Sequence, residues 1–275
     1  MMRLFCCIIL VIGFLYSQEK IAFIKYYEND RDFLGDKAML ATDRRGEDHI
    51  QVSYNEKKQA IIKEWMNQYG QATKREIFLH SYYDGEEDAG IEYRVANRFL
   101  KNLKILESLS NEPIIIHQHS VGGEWECGMV IYDSLIATSC PLIFICHGVA
   151  ASMGSIIPQA VYKKGLRLTM PNCCWLVHEG YEETSGTVKQ FNSYHEFSKT
   201  TMVQLYDIYC DICLNSGGFF SNMTKKQCKA YLKRKLKSKE DWWFTSEEAV
   251  SYGFADGIFG KGEYETMDKA KNLLT

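Results

Sequence analysis

The sequence has almost no net charge. Its 32 lysines and arginines are set against 35 aspartates and glutamates, for a formal net charge of -3. This balance gives no electrostatic case for binding nucleic acid. No Gly-x-x-x-x-Gly-Lys phosphate loop occurs, and internal repeats and low-complexity tracts are also missing. With 46% hydrophobic and 24% charged residues, the composition is that of an ordinary globular protein.

Only one long apolar run occurs, near the N-terminus. Residues 4–16 (LFCCIILVIGFLY) follow a single Arg3. Their length is short for a bilayer span and suits the core of a signal peptide. The cleavage region is poor, because Leu15 stands where a second small residue is expected before Ser17. A buried N-terminal strand is the alternative, and we favour it over a signal peptide.

The ten cysteines are scattered along the chain, and only Cys210 and Cys213 have the C-x-x-C spacing. That pair lies inside a helical pattern with no second pair nearby, so zinc and redox roles are less favoured than buried, reduced thiols. Reduced thiols predict a cytoplasmic protein.

From residue 75 onward, short apolar runs alternate with stretches of helical periodicity. Strands are predicted at 76–80, 114–117, 142–146, 175–178 and 254–259, and helices at 91–106, 129–137, 156–162, 188–214, 224–237 and 246–252. The alternation predicts an α/β fold with a mostly parallel sheet and chemistry at the carboxyl ends of its strands. The preceding residues, with a predicted strand at 21–26 and helix at 57–69, carry no recognisable chemistry.

One stretch, Cys146-His-Gly-Val-Ala-Ala-Ser-Met-Gly-Ser155, organises the rest of the chain. It places Ser152 among small residues between a predicted strand and a predicted helix, which is how a reactive side chain is exposed on a turn. A serine at such a position is more often a helix cap. A nucleophilic serine also needs a base, a group that orients the base, and donors for an oxyanion.

Three features elsewhere are candidates for these roles. His178 ends an apolar strand, Asp241 precedes two tryptophans that we expect to bury its carboxylate, and the Gly122-Gly123 pair can present bare backbone N–H groups. Each has an ordinary alternative. The histidine can be a satisfied core or surface residue, the aspartate a helix cap or surface carboxylate, and the glycines a simple turn.

A metal site also suggests itself at His117 and His119, because alternate residues of a strand share a face. With no third ligand identifiable, polar strand-end residues are the better interpretation, and no metal is predicted.

Together these segments resemble the proteolytic subunit of Clp protease, the ClpP family, and more closely the divergent ClpP-like peptidases of phage and metagenomic sequences. The resemblance covers about residues 75–260, roughly two thirds of the chain. Its motifs are Arg75-Glu-Ile-Phe-Leu79, Val95-Ala-Asn97, Ser120-Val-Gly-Gly123, Gly128-Met-Val-Ile-Tyr-Asp133, Gly148-Val-Ala-Ala-Ser-Met-Gly154, Leu176-Val-His178, and Trp243 to Gly253 with Asp256.

The resemblance implies a ClpP/crotonase-like fold of stacked, mostly parallel strands with flanking helices. It implies a serine endopeptidase in which Ser152 attacks the scissile carbonyl, His178 moves the proton and Asp241 orients the imidazole. The backbone N–H groups of Gly123 and Met153 would form the oxyanion hole. No metal or organic cofactor is implied.

It also implies homo-oligomeric, stacked heptameric rings that enclose a chamber, with a AAA+ ATPase feeding in unfolded polypeptides and residues 188–214 as the ring-to-ring handle. The expected organisation is an N-terminal extension at 1–74, a peptidase domain at 75–262 and a C-terminal tail at 263–275. Val121 replaces the family's proline, and Pro158 should kink or shorten the helix after Ser152. Extra residues are expected around 215–222.

Three alternatives stay open. One is a phage capsid-maturation peptidase that works without an ATPase, and another is a catalytically silent ring subunit. The last and least favoured is a crotonase-type acyl-CoA enzyme, which would not need the serine, histidine and aspartate together. The basic segment 224–237 is interpreted as a solvated helix face.

Overall fold

A computed structural model describes residues 40–42, 48–50, 75–79, 90–181 and 183–274. The apolar segment 4–16, the predicted strand at 21–26 and the predicted helix at 57–69 lie outside the described residues. By its internal contacts the chain divides into two units, one of residues 1–74 and 104–110 and the other of residues 75–103 and 111–275.

The described backbone of the first unit includes one short antiparallel pair. Strand β1 (Leu40–Thr42) pairs with strand β2 (Asp48–Ile50), with Ala41 opposite His49. Helix α1 (Tyr93–Leu109) ends in the residues that group with this unit. Within the described ranges, no helix is long and apolar enough to cross a membrane.

The second unit alternates strands and helices. Its strands are β3 (Glu76–Leu79), β4 (Ile114–Ser120), β5 (Leu142–Ala151), β6 (Gly165–Thr169), β7 (Cys174–Val177), β8 (Trp242–Phe244) and β9 (Gly257–Ile258). After α1, its helices are α2 (Trp125–Ala137), α3 (Met153–Ile156), α4 (Val188–Ser216), α5 (Lys225–Lys239), α6 (Ser246–Tyr252) and α7 (Met267–Asn272).

The strands form one mostly parallel sheet in the order β3-β4-β5-β6-β9, with β7 parallel to β5 and β8 antiparallel to β7. Both faces of the central strands are buried, which explains why they read as continuous apolar runs. One face carries Ile115, Ile143, Ile145 and Leu168, and Ala270 of α7 is buried against them. The predicted α/β class with a mostly parallel sheet is confirmed.

Strand β5 is longer than the sequence predicts. Its first half pairs with β4 and β6, and its second half, Val149 to Ala151, pairs with β7. The prediction ended the strand at Cys146 because the apolar run breaks there. The small residues that follow let the backbone bend, with Gly148 at φ +55° and a register shift against β4, and the strand then continues.

The predicted helix at 156–162 is wrong in its bounds. Helix α3 begins at Met153 and ends at Ile156, and Ile157–Val161 continues as a 3₁₀ helix with Pro158 in its first turn. Proline lacks the N–H that an α-helical interior needs, which accounts for the shortening that Pro158 predicts.

Several other predicted bounds also change. Helix α2 begins at Trp125 instead of residue 129, and the strand predicted at 254–259 has only the two residues of β9. Strands β6 and β8 were not predicted from the sequence. In β6 the charged Arg167 interrupts the apolar pattern, and β8 is only three residues long.

Three helix starts are set by the same local motif. The side chains of Thr187, Thr224 and Thr245 each accept a hydrogen bond from the backbone N–H three residues on, and the threonine N–H donates to the glutamine or glutamate side chain there. These capping boxes satisfy donors that the first helical turn leaves unpaired. The signal Thr-x-x-Gln/Glu therefore fixes the beginnings of α4, α5 and α6.

A buried arginine ties the sheet to the C-terminal elements. Arg167 on β6 is 1% exposed, and its guanidinium donates to the Asp256 carboxylate, to Gln159 Oε1 at 2.6 Å and to the Gly253 carbonyl at 2.8 Å. Gln159 in turn donates to the Ser155 carbonyl at 2.9 Å. The network thus joins the 3₁₀ helix after Ser152 to the loop before β9.

We expect Asp256→Ala to destabilise the fold by about 3–5 kcal/mol, because it leaves the buried Arg167 charge without its carboxylate. Urea unfolding followed by tryptophan fluorescence at fixed protein concentration measures the change. The matched control Glu183→Ala removes an exposed carboxylate and should stay within about 0.5 kcal/mol of the parent. Equal midpoints for the two variants would contradict a supporting role for Asp256.

Candidate active site

Three strand ends meet at one place, and their register sets Asp241 opposite His178 and Ser152 beside the residue that precedes His178. Strand β5 runs parallel to β7 with Ala151 opposite Leu176, and the Ser152 N–H donates to the Leu176 carbonyl at 3.0 Å. Strand β8 runs antiparallel to β7 with Val177 opposite Trp242. Continuing each register by one residue sets Ser152 beside the end of β7 and Asp241 opposite His178.

The backbone at Ser152 has an unusual conformation. Its φ of 52° and ψ of -124° lie outside the regions that side chains other than glycine favour. A sharp strand-to-helix turn of this kind lifts the hydroxyl clear of the sheet. Residues held in such sparsely populated regions cost about 1–3 kcal/mol and occur most often at functional sites.

Gly122 leaves the space that the serine side chain occupies. A Cβ on Gly122 would lie 2.5 Å from Ser152 Cβ and 3.0 Å from its Oγ, and the glycine φ of +104° disfavours any side chain. The Gly122 N–H donates to Ser120 Oγ at 3.1 Å, and its carbonyl accepts from Ile91 N–H at 2.7 Å. The glycine turn is therefore fixed against the nucleophile turn.

Two backbone N–H groups next to this contact have no acceptor among the described residues. The N–H of Gly123 is left out of the bridge that its neighbours make with Ile91. The N–H of Met153 opens helix α3, where the first N–H groups have no intrahelical acceptor. Both are available to an oxyanion or to another polar ligand.

His178 and Asp241 are directly hydrogen-bonded. His178 Nδ1 lies 3.1 Å from Asp241 Oδ1, with the histidine side chain 25% exposed and the aspartate side chain 57% exposed. The pair is too exposed to contribute much stability. The chemical consequence of the hydrogen bond is that it orients the imidazole ring. With Nδ1–H donating to the carboxylate, Nε2 carries the lone pair.

That Nε2 atom is buried and has no hydrogen-bond partner among the described residues. An unpaired buried polar atom requires an explanation, and catalysis is one of the common ones. No hydrogen bond joins it to Ser152 Oγ, so the structure couples two of the three candidates directly and brings the third to the adjacent strand end. Such contacts are often long in the absence of substrate and tighten in the complex.

The expectation that tryptophans bury the Asp241 carboxylate is wrong. Strand alternation turns Trp242 into the core and leaves Trp243 54% exposed, so only one indole is buried. Asp241 itself follows a turn at Glu240, whose φ of +56° ends α5 and starts β8. The carboxylate is thus held by the turn and not by an apolar wall.

Two supporting contacts were missed in the sequence. Tyr206 Oη on α4 donates to the carboxylate of Glu179, the residue after His178. Tyr209, also on α4, shares a 2.7 Å hydrogen bond with Ser155 behind the nucleophile turn. Both tyrosines fit the helical pattern of α4 as core residues, and no local signal marks their partners.

No cofactor site is evident at this place. Among the residues that the structure describes, no group of three or more histidine, cysteine or acidic side chains has the arrangement to hold a metal ion. Histidines 117, 119 and 147 lie elsewhere, on β4 and β5.

Comparison with known proteins identifies relatives of this chain. The model of the Clp protease family matches residues 63–262. The chain is 29% identical over 169 residues to the ATP-dependent Clp protease proteolytic subunit 2 of Pseudomonas aeruginosa, covering 62% of this chain and 77% of that protein. It is 26% identical over 200 residues to the subunit of the same name from Mycolicibacterium paratuberculosis, with 72% and 89% covered. A third relative, the ATP-dependent Clp protease proteolytic subunit of Streptococcus mutans, is 28% identical over 177 residues, with 63% and 82% covered.

We expect Gly122→Ala to displace Ser152, because the new Cβ would overlap the serine side chain. The rate at which a fluorophosphonate probe labels Ser152 should fall at least about tenfold, in line with the cost of small misplacements at reacting centres. Gly218→Ala is the matched control, since a Cβ there meets nothing within 4 Å. Unchanged labelling of Gly122→Ala would show that the contact is not needed.

Proposed function

Since this chain belongs to the Clp protease family, we propose that it is a serine endopeptidase that uses Ser152 as nucleophile, His178 as general base and Asp241 as the residue that orients the imidazole. Its relatives carry the name of Clp protease proteolytic subunits, and the chain is a ClpP-type peptidase. The observation that supports the triad best is the His178–Asp241 hydrogen bond, which leaves a buried, unpaired Nε2 beside the turn of Ser152.

In the proposed mechanism, His178 Nε2 takes the proton from Ser152 Oγ as the oxygen attacks the peptide carbonyl. The negative oxygen of the tetrahedral intermediate accepts hydrogen bonds from the N–H groups of Gly123 and Met153, each worth about 3–4 kcal/mol in comparable enzymes. The imidazolium returns the proton to the leaving amine. Water then hydrolyses the acyl-enzyme by the same proton transfers in reverse order.

We also propose that the chain acts as a homo-oligomer, with heptameric rings as the expected form. Support comes from α4, whose 29 residues span about 44 Å. Its buried residues lie mostly in the C-terminal half, whereas the N-terminal half exposes apolar side chains three residues apart: Val188, Phe191, Tyr194 and Phe197. Such an exposed apolar stripe indicates a protein contact, and a second copy in the facing ring is the proposed partner.

Any ATP use would belong to a AAA+ unfoldase that delivers unfolded polypeptides to the chamber, since this sequence has no phosphate loop. We propose residues 75–262 as the peptidase domain, with 1–74 as an extension and 263–275 as a tail. The tail contributes α7 and its buried Ala270 to the core of the same unit.

Ser152→Ala should abolish hydrolysis of fluorogenic peptides while native mass spectrometry shows the same oligomer as the parent, because the change removes only the attacking oxygen. The control Ser251→Ala alters an exposed serine on α6 and should leave turnover unchanged. Retained hydrolysis in Ser152→Ala would exclude it as the nucleophile. Failure of a fluorophosphonate to label Ser152 in the parent would instead favour a catalytically silent subunit.

Asp241→Asn should lower kcat by up to about 10⁴ with little change in KM, because an amide can hold the imidazole in the wrong tautomer. Steady-state kinetics on a peptide substrate separate the two constants. Asp268→Asn, an exposed aspartate on α7, serves as the matched control. A near-normal kcat would mean that another residue orients His178.

A further inference from the structure

The main chain that leaves His178 has few contacts to fix it. Strand β7 ends at Val177, and the next element is helix α4. The described part of this connection consists of residues 178–181 and 183–186, and none of these takes part in a backbone-to-backbone hydrogen bond. Strand pairing therefore fixes the chain only as far as the residue before the histidine.

One side-chain contact holds the chain directly after the histidine. Tyr206 Oη on α4 donates to the carboxylate of Glu179. Within the same described connection, the other side-chain hydrogen bond is the one between His178 and Asp241. The second bond orients the imidazole ring, and the first ties the main chain that carries this ring to a helix.

Tyr206 is itself held firmly in place. It is 4% exposed, and Lys233 Nζ of α5 lies 5.3 Å from the centroid of its ring, at the distance of a cation–π contact. Helices α4 and α5 are also joined by the ion pair of Asp207 with Lys229 at 3.3 Å. Burial, the hydrogen bond to Glu179 and the charge of that carboxylate raise the pKa of Tyr206, so the phenol keeps its proton and stays a donor.

The need to satisfy a buried hydroxyl does not by itself explain this partner. A buried tyrosine hydroxyl needs an acceptor, but a backbone carbonyl or a water molecule meets that need. Glu179 is an exposed residue, and its carboxylate gives up water and side-chain freedom to make the bond. Because the bond is made next to His178, on a connection that strand pairing does not hold, its effect is to be sought at the histidine.

We propose that Tyr206 is a positioning residue for His178. By holding Glu179, it fixes the main chain at the end of β7, so that the imidazole keeps its bond to Asp241 and presents Nε2 toward the turn of Ser152. The effect on catalysis rests on the proposed peptidase function. The placement of the imidazole can be measured without hydrolysis.

Steady-state kinetics on a fluorogenic peptide test the effect on catalysis. Tyr206→Phe keeps the buried ring and removes only the hydroxyl. We expect kcat to fall at least about tenfold with little change in KM, because small displacements of a reacting group are costly. Glu179→Ala should have the same effect, and the combined variant should be no worse than either single variant, since both remove one bond. Glu179→Gln should recover most of the activity that Glu179→Ala loses, because an amide oxygen can still accept from the tyrosine.

Tyr264→Phe is the matched control, because it removes the hydroxyl of a half-buried tyrosine in the segment after β9 and should have the kcat of the parent. Melting curves check that each variant is folded. A parental kcat in Tyr206→Phe, additive losses in the combined variant, or equal losses in Glu179→Gln and Glu179→Ala would each overturn the proposal.

¹⁵N NMR of the full chain labelled at its histidines reports the state of the imidazole and needs no turnover. The His178 signals are assigned with His178→Gln. In the parent we expect a protonated Nδ1 and an unprotonated Nε2, as the bond to Asp241 requires. Tyr206→Phe should add a population with the proton on Nε2, because the ring is then less firmly held against Asp241, and Tyr264→Phe should not.

Identical His178 spectra in Tyr206→Phe and the parent would overturn the positioning role. A parent that hydrolyses no peptide would contradict the proposed function instead, and the comparison of the spectra would still decide on Tyr206.

Discussion

The candidate site depends on the register of three strand ends. The bond from Ser152 N–H to the Leu176 carbonyl fixes β5 against β7, and the pairing of Val177 with Trp242 fixes β8 against β7. A slip of one residue at either junction would turn the affected side chains to the opposite face. His178 and Asp241 could then no longer meet. The small residues before Ser152 matter for the same reason, because they let β5 bend at Gly148 and still reach β7.

The two sides of this site are supported differently. Behind the nucleophile, the Ser155 hydroxyl is hydrogen-bonded to Tyr209, and the Ser155 carbonyl accepts a hydrogen bond from Gln159. Gln159 in turn accepts a hydrogen bond from the buried Arg167. The turn at Ser152 is therefore braced by groups that are costly to disturb. The His178–Asp241 pair is partly exposed and is positioned by strand pairing and one surface turn. The unfavourable backbone conformation of Ser152 can persist because its turn is held by these buried groups. The His178 side chain keeps the freedom to move that proton transfer in two directions requires.

Much of this arrangement could be predicted from the sequence. The apolar runs predict the central strands, and Pro158 predicts the shortened helix after Ser152. The residues that are candidates for chemistry follow from their amino-acid types and from their positions near strand ends. Asp241 shows where such reasoning stops. The Asp-Trp-Trp sequence suggested a buried carboxylate. Whether the carboxylate is buried depends on which indole the alternation of β8 turns inward. Strand β8 has only three residues, which is too short to be predicted. His147 and Tyr206 were missed because their partners lie on other elements, and pairings across elements leave no periodic trace.

Strand β5 presents different chemistry on the two faces of one sheet. Gln118 of β4 points to the face of the nucleophile, where its Nε2 donates to the Gly154 carbonyl at 2.6 Å, while His117 beside it points to the other face and meets His147. His147 and Ser152 lie on opposite sides of the bend at Gly148 and share no contact partner in the bonds described. The pairing of Val149 to Ala151 with β7 holds the backbone of β5 in place between the histidine and the serine.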